Sequence, residues 1–255
     1  MPLVAGLRAF RDALTGFEDC YALIGGGACS LLFDAAGTDF RLTRDLDVVI
    51  LAGSGRDDFA RAFWAFVRNN GYKTGGRNDE KVRYYRFTLP ESGIGTGLPE
   101  MVELFARHPD FDLAREGVEV APMPFDEGVS SLSAIILDDG YYDLIRSGVT
   151  IVEGIPVVDA LHIIPLKMRA HIDLNDRHDR GERVNEKDLR KHRRDVLELA
   201  GLLADGDRLP LTGVIREDAE RFLNGAESFT ARTTNRKERD RRTDTVEFLR
   251  VVYLA

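Results

Sequence analysis

The sequence predicts an α/β (α+β) protein, a small mixed sheet flanked by helices and followed by a helical C-terminal half. Two patterns carry that expectation. Up to about residue 155, short apolar or β-branched runs alternate with helix-periodic segments, whereas from Val158 onward only the helical period persists. A third observation bears on chemistry. Leu23-Ile24-Gly25-Gly26-Gly27-Ala28 is followed, after a short apolar segment, by Arg41-Leu42-Thr43-Arg44-Asp45-Leu46-Asp47-Val48-Val49-Ile50.

Val4, Leu7, Phe10, Leu14 and Phe17 recur at helical spacing and predict a first amphipathic helix ending near Gly16. Tyr21–Ile24 reads as a short strand, the glycine triplet as a loop, Ala28–Ala35 as a helix and Leu46–Leu51 as a buried strand. Phe59, Ala62, Phe63, Phe66 and Val67 make 58–67 helical. Val82–Thr88 has the β-branched and aromatic bias of a strand, 92–99 is a Gly-rich turn, and Met101–Phe105 is another strand. Val118-Glu119-Val120 and 151–158 are shorter strand candidates, and 132–137 suits strand or helix. Asp138-Asp139-Gly140 reads as a turn.

Helices are expected over 159–174, 186–203 and 212–223, with a last segment at 246–253, and 230–244 reads as a solvated, charged loop. The expected organisation is a catalytic α/β domain at 1–155 and a helical domain at 156–255 that closes over the site.

The chain has 255 residues, enough for a full core, with 31% charged residues and a formal net charge of −8. That acidity argues against a general nucleic-acid-coating protein and leaves room for a local basic groove. Cys20 and Cys29 form no metal or redox spacing and read as buried free thiols. No apolar run approaches the ~18 residues of a membrane span, and the N-terminus lacks a signal-peptide pattern, so a cytoplasmic protein is expected. His162, His171, His178 and His192 have no zinc-type spacing.

In a strand alternate side chains share a face, so Asp45 and Asp47 project together, with Cα atoms roughly 6.5–7 Å apart. Two such acids repel unless a cation sits between them. The glycines ahead of them offer backbone N–H groups to an anion, and the helix that follows adds the positive end of its dipole. A divalent cation beside a phosphate is the reading these residues support. Glu103, one acid among Met101, Val102, Leu104 and Phe105, is the candidate third ligand, because a buried unpaired carboxylate is expensive and a metal would remove that cost. A core arginine would remove it equally well, and Glu119 is a rival in less apolar surroundings.

The same residues resemble the nucleotidyltransferase superfamily of the DNA polymerase β-type fold, and most closely its AbiEii/AbiGii-type toxin branch. That branch shows Gly-Gly-x-Ala and then Arg-x-Thr/Ser-x-Asp-x-Asp, matched here by Gly25, Gly26 and Ala28, then Arg41, Thr43, Asp45 and Asp47. The wider superfamily has Gly-Ser where this chain has Gly-Gly, so that hydroxyl contact to phosphate is absent.

The resemblance implies transfer of a nucleoside monophosphate from an NTP to a hydroxyl, with Asp45, Asp47 and Glu103 holding two Mg²⁺. It gives Gly25, Gly26, Gly27, Arg41 and Thr43 to the nucleotide, and makes Lys167, in an otherwise apolar helix, a cation for the triphosphate. Asp188 matches the closing motif and is expected to orient Lys167, with Asp195 seven residues on along the same helical face. The resemblance further implies a toxin acting on the tRNA 3′ end or a protein hydroxyl and restrained by a partner antitoxin. A non-catalytic nucleotide- or nucleic-acid-binding module and a small-molecule (antibiotic) nucleotidyltransferase are the alternatives. The excess of positive charge from Lys167 to Arg194 leans toward a phosphate-bearing acceptor.

Overall fold

The computed structural model describes residues 6–41, 43–51, 56–78, 82–107, 121–122, 138–231 and 233–255. The strand expected at 118–120, with Glu119, and the segment 132–137 lie outside them. The chain divides into two compact units: Met1–Val129 with Ile145–Asp159, and Ser130–Leu144 with Ala160–Ala255.

The first unit is built on a mixed sheet. Among the described residues its strands are β1 (Tyr21–Ile24), β2 (Asp45–Ile50), β3 (Lys73–Asn78), β4 (Val82–Thr88), β5 (Met101–Arg107), β6 (Ala121–Pro122), β7 (Val149–Val152) and β8 (Ile155–Val158). Their order across the sheet is β6-β3-β4-β5-β2-β1-β8-β7. β2 is central, antiparallel to β1 and parallel to β5, which in turn runs antiparallel to β4. Its helices are α1 (Leu7–Ala13), α2 (Gly25–Ala35) and α3 (Arg56–Asn69).

Aromatic side chains set which face is covered by α1 and α3. Phe10 of α1 meets Tyr21 of β1 edge-on at 5.7 Å, and Phe63 of α3 meets Phe87 of β4 at 5.0 Å. Leu46 and Val48, buried completely, share that face with Tyr21 and Phe87 by strand alternation and register. Asp45, Asp47, Glu103 and Arg86 are therefore delivered to the opposite face.

Three sequence readings change here. The glycine triplet is not a loop but the first turn of α2, entered through Gly25 at φ +66°. The single strand expected at 151–158 is a hairpin, β7 and β8, turned at Glu153 and Gly154, both at positive φ. β3 went unread because Lys73-Thr74-Gly75-Gly76-Arg77-Asn78 has neither apolar alternation nor β-branched bias beyond Thr74; it is a strand through its ladder with β4.

In chain order the next helices are α4 (Asp139–Ser147), α5 (Ala160–Asp179), α6 (Glu186–Leu199), α7 (Gly213–Ala231) and α8 (Arg236–Leu254). The turn expected at Asp138–Gly140 instead opens α4, where the Asp138 carboxylate accepts the Tyr141 N–H at 3.1 Å. α5 outruns its expected end at Leu174 and contains Pro165. A proline has no N–H for the carbonyl four residues back; the Tyr253 hydroxyl donates to that Leu161 oxygen at 2.8 Å.

The loop expected over 230–244 is corrected to helix from Arg236. Asn235 caps it by accepting the Glu238 N–H at 3.1 Å, and Arg241 and Arg242 pair with Glu238. The Asn235-x-x-Glu238 spacing was the available signal, masked by the lack of aliphatics. Among the described residues no helix is long and apolar enough to cross a membrane.

Candidate functional site

In the first unit the start of α2 and the start of β2 are pressed together. Gly25 packs so closely on Asp47 that a Cβ there would overlap the carboxylate. At Gly26 a Cβ would stand 2.8 Å from the Thr43 hydroxyl and 3.4 Å from the Arg41 guanidinium, and at Gly27 it would stand 3.1 Å from Leu46. Glycine is required at 25 twice over, by positive φ and by this contact. Gly25, Gly26, Arg41, Thr43 and Asp47 thus converge, and Asp45 lies two residues before Asp47 on the same face of β2. Both aspartates are half-buried. Arg41 also lies over the Phe40 ring, 5.1 Å from its centre.

Glu103 pairs directly with Asp47 across the parallel β2–β5 ladder. Glu103 is 7% exposed, and the compensation its carboxylate requires comes from protein. Arg86, directly opposite on β4, donates to Glu103 Oε1 through Nε at 2.8 Å and Nη2 at 2.6 Å. Among the described residues no group of three or more His, Cys, Asp and Glu is placed to hold a metal ion. Asp45, Asp47 and Glu103 therefore share one face of the sheet, with Glu103 engaged by Arg86. Arg86 is the residue that sequence reasoning missed; its place opposite Glu103 follows from the β4–β5 register, which no local pattern in Val82–Thr88 announces.

No protein-family model and no curated protein matches the chain. A crystal structure of an antigenic nucleotidyltransferase-like protein from Paracoccidioides brasiliensis is similar at 15% identity and a TM-score of 0.47, over 97% of this chain and 91% of that one. Likeness at this level carries no conclusion about activity.

In the second unit Lys167, 5% exposed, donates to Asp195 Oδ2 at 3.0 Å, and Asp195 is completely buried. The carboxylate that orients Lys167 is thus Asp195 and not Asp188, which sits half-buried in the first turn of α6. Asp195 lies on the inward stripe of α6 with Val196 and Leu199, where the lysine stem can follow it. A second buried carboxylate, Asp218, accepts from the Tyr141 hydroxyl at 2.9 Å and is held by Arg169 at 3.0 Å. Burial first, then the Asp218 charge, keep that tyrosine a neutral donor.

His171, one turn beyond Lys167, hydrogen-bonds the Leu189 carbonyl through Nδ1 at 3.1 Å, which makes that nitrogen the N–H, and accepts from the Asn175 amide at 2.9 Å. Burial pushes its pKa down to about 4, against the raising effect of the Leu189 bond and with a smaller lowering effect from Arg193. His192 is likewise held well below the ordinary histidine range, by burial first and then by the Lys167 charge.

A folded pKa below the unfolded value of about 6.5 means the unfolded chain binds the extra proton between the two values. Stability is therefore expected to be fully present above pH 6.5 and to fall toward pH 4, by up to about 3 kcal/mol for His171. Urea unfolding at pH 7 and pH 4.5 measures this, and His171→Asn is expected to reduce the difference.

Proposed function

We propose that the chain is a Mg²⁺-dependent nucleotidyltransferase that moves a nucleoside monophosphate from an NTP to a hydroxyl acceptor and releases pyrophosphate. The observation that carries the reading is the packing of Gly25, at the start of α2, on the Asp47 carboxylate, with Asp45 beside it. Mg²⁺ binds through one or two carboxylates plus substrate phosphates, and this pair suits that demand. Asp45 and Asp47 would hold the ion; bound there, it would neutralise charge on the phosphates and favour ionisation of the acceptor hydroxyl.

The remaining work falls to positioning by the chain's own groups. Backbone N–H groups of Gly25–Gly27, at a helix N-terminus, would donate to phosphate oxygens. Arg41 and Thr43, drawn against Gly26, would bind the same phosphates. Lys167 as a triphosphate cation and Asp188 as a nucleotide contact are proposals resting on the sequence resemblance, as are a tRNA or protein acceptor, a toxin role and a partner antitoxin.

The test is incubation of the purified chain with each α-labelled NTP, Mg²⁺ and a cell extract. Label is expected in a macromolecule, dependent on Mg²⁺. Absence of label from all four NTPs with folded protein overturns transfer. The engagement of Glu103 by Arg86 favours, as a second reading, a module that binds nucleotide without turnover; nucleotide binding with no labelling would support it.

A further inference from the structure

The three candidate site carboxylates, Asp45, Asp47 and Glu103, are not equivalent. Register places Arg86 of β4, Glu103 of β5 and Asp47 of β2 side by side on three neighbouring strands, so cation, anion and anion form one row across a single face of the sheet. Neighbouring strands lie about 4.8 Å apart, which brings every member of the row within reach of one bound triphosphate. Within the row two nitrogens of Arg86 meet the same Glu103 oxygen, and both side chains are largely buried. For Glu103 to ligate an ion as well, the cation would have to compete with this guanidinium, and breaking a buried pair strands a charge in the sheet.

We infer, on the footing of the nucleotidyltransferase reading, that the site holds a single divalent cation on Asp45 and Asp47. Glu103 is then not a metal ligand but the anchor that aims Arg86, whose guanidinium supplies a second fixed positive charge for the substrate's phosphates. A planar guanidinium suits a phosphate in this position because it can present two parallel N–H groups to two oxygens. Its charge needs no free metal concentration to be in place. Glu103 is a positioning residue in this scheme and Arg86 a phosphate ligand.

The experiment is titration of the apo protein with Mn²⁺, read by electron paramagnetic resonance, together with binding of a non-hydrolysable NTP analogue. The wild-type chain is expected to bind one Mn²⁺. Glu103→Gln should change that affinity by no more than about threefold, and Asp47→Asn should weaken it more than about tenfold. Arg86→Lys should leave Mn²⁺ binding unchanged and weaken the analogue by about tenfold, because a point charge cannot reproduce the two-pronged contact.

Should Glu103→Gln or Arg86→Lys prove hard to fold, the paired replacement Arg86→Met/Glu103→Leu removes both charges together. It is expected to keep the single Mn²⁺ and lose the analogue. A second Mn²⁺ that disappears with Glu103→Gln, or a tenfold loss of Mn²⁺ affinity in that variant, overturns the inference and leaves the transferase reading standing. Undiminished analogue binding in both Arg86 variants removes Arg86 from the phosphates. Failure of the wild-type chain to bind Mn²⁺ at all, or binding indifferent to Asp45 and Asp47, strikes instead at the transferase reading.

Discussion

Replacing Asp47 by Asn is expected to lower the rate of label transfer by about a thousandfold, with Asp45→Asn following closely. Asparagine keeps the shape that packs against Gly25, so the backbone contact survives and only the charge is lost. The Asp45–Asp47 repulsion falls at the same time, and unfolding free energy is expected to stay within about 1 kcal/mol of wild type. Transfer assays beside urea unfolding curves separate the two effects. A variant with intact stability and wild-type transfer would remove Asp47 from the chemistry. A module that only senses nucleotide would tolerate the change.

The largest effect on stability is expected at Asp195. Its carboxylate is fully buried and bonded to Lys167, so Asp195→Ala leaves a buried ammonium without its carboxylate. Removing one partner of such a pair costs about 3–5 kcal/mol, whereas replacing both by apolar groups of similar volume is often neutral. Asp195→Ala and Lys167→Met are each expected to lower stability by that amount, and Lys167→Met/Asp195→Leu to recover most of it. The double variant should regain stability without regaining transfer, if Lys167 serves the triphosphate as proposed. Recovery of both would make the pair purely structural.

Where the sequence was legible, one local pattern matched one physical demand. Asp45 to Ile50 alternates over its first three residues and then runs wholly apolar, as a central strand with one polar end must, and the α/β sheet with a helical C-terminal half followed from such patterns. What escaped depended on partners distant in sequence. Nothing within Val82–Thr88 announces that Arg86 faces Glu103, because that depends on an antiparallel register between β4 and β5. Choosing between Asp188 and Asp195 as partner of Lys167 required the rotation of α6, and seven-residue spacing put both on nearly one face. The helix over 236–254 was obscured differently. Its stability near Asn235 comes from charges four residues apart, and low hydrophobicity was given more weight than that spacing.

The Pro165 gap in α5 also sets an order of events during synthesis. Its donor, the Tyr253 hydroxyl, lies 92 residues beyond Leu161 in sequence, so the Leu161 carbonyl emerges from the ribosome about 5–20 s before the group that satisfies it. Through that interval one carbonyl of the helix depends on water, which delays tight closure of the surrounding core. Final consolidation of this helix is therefore tied to the arrival of a single late phenol.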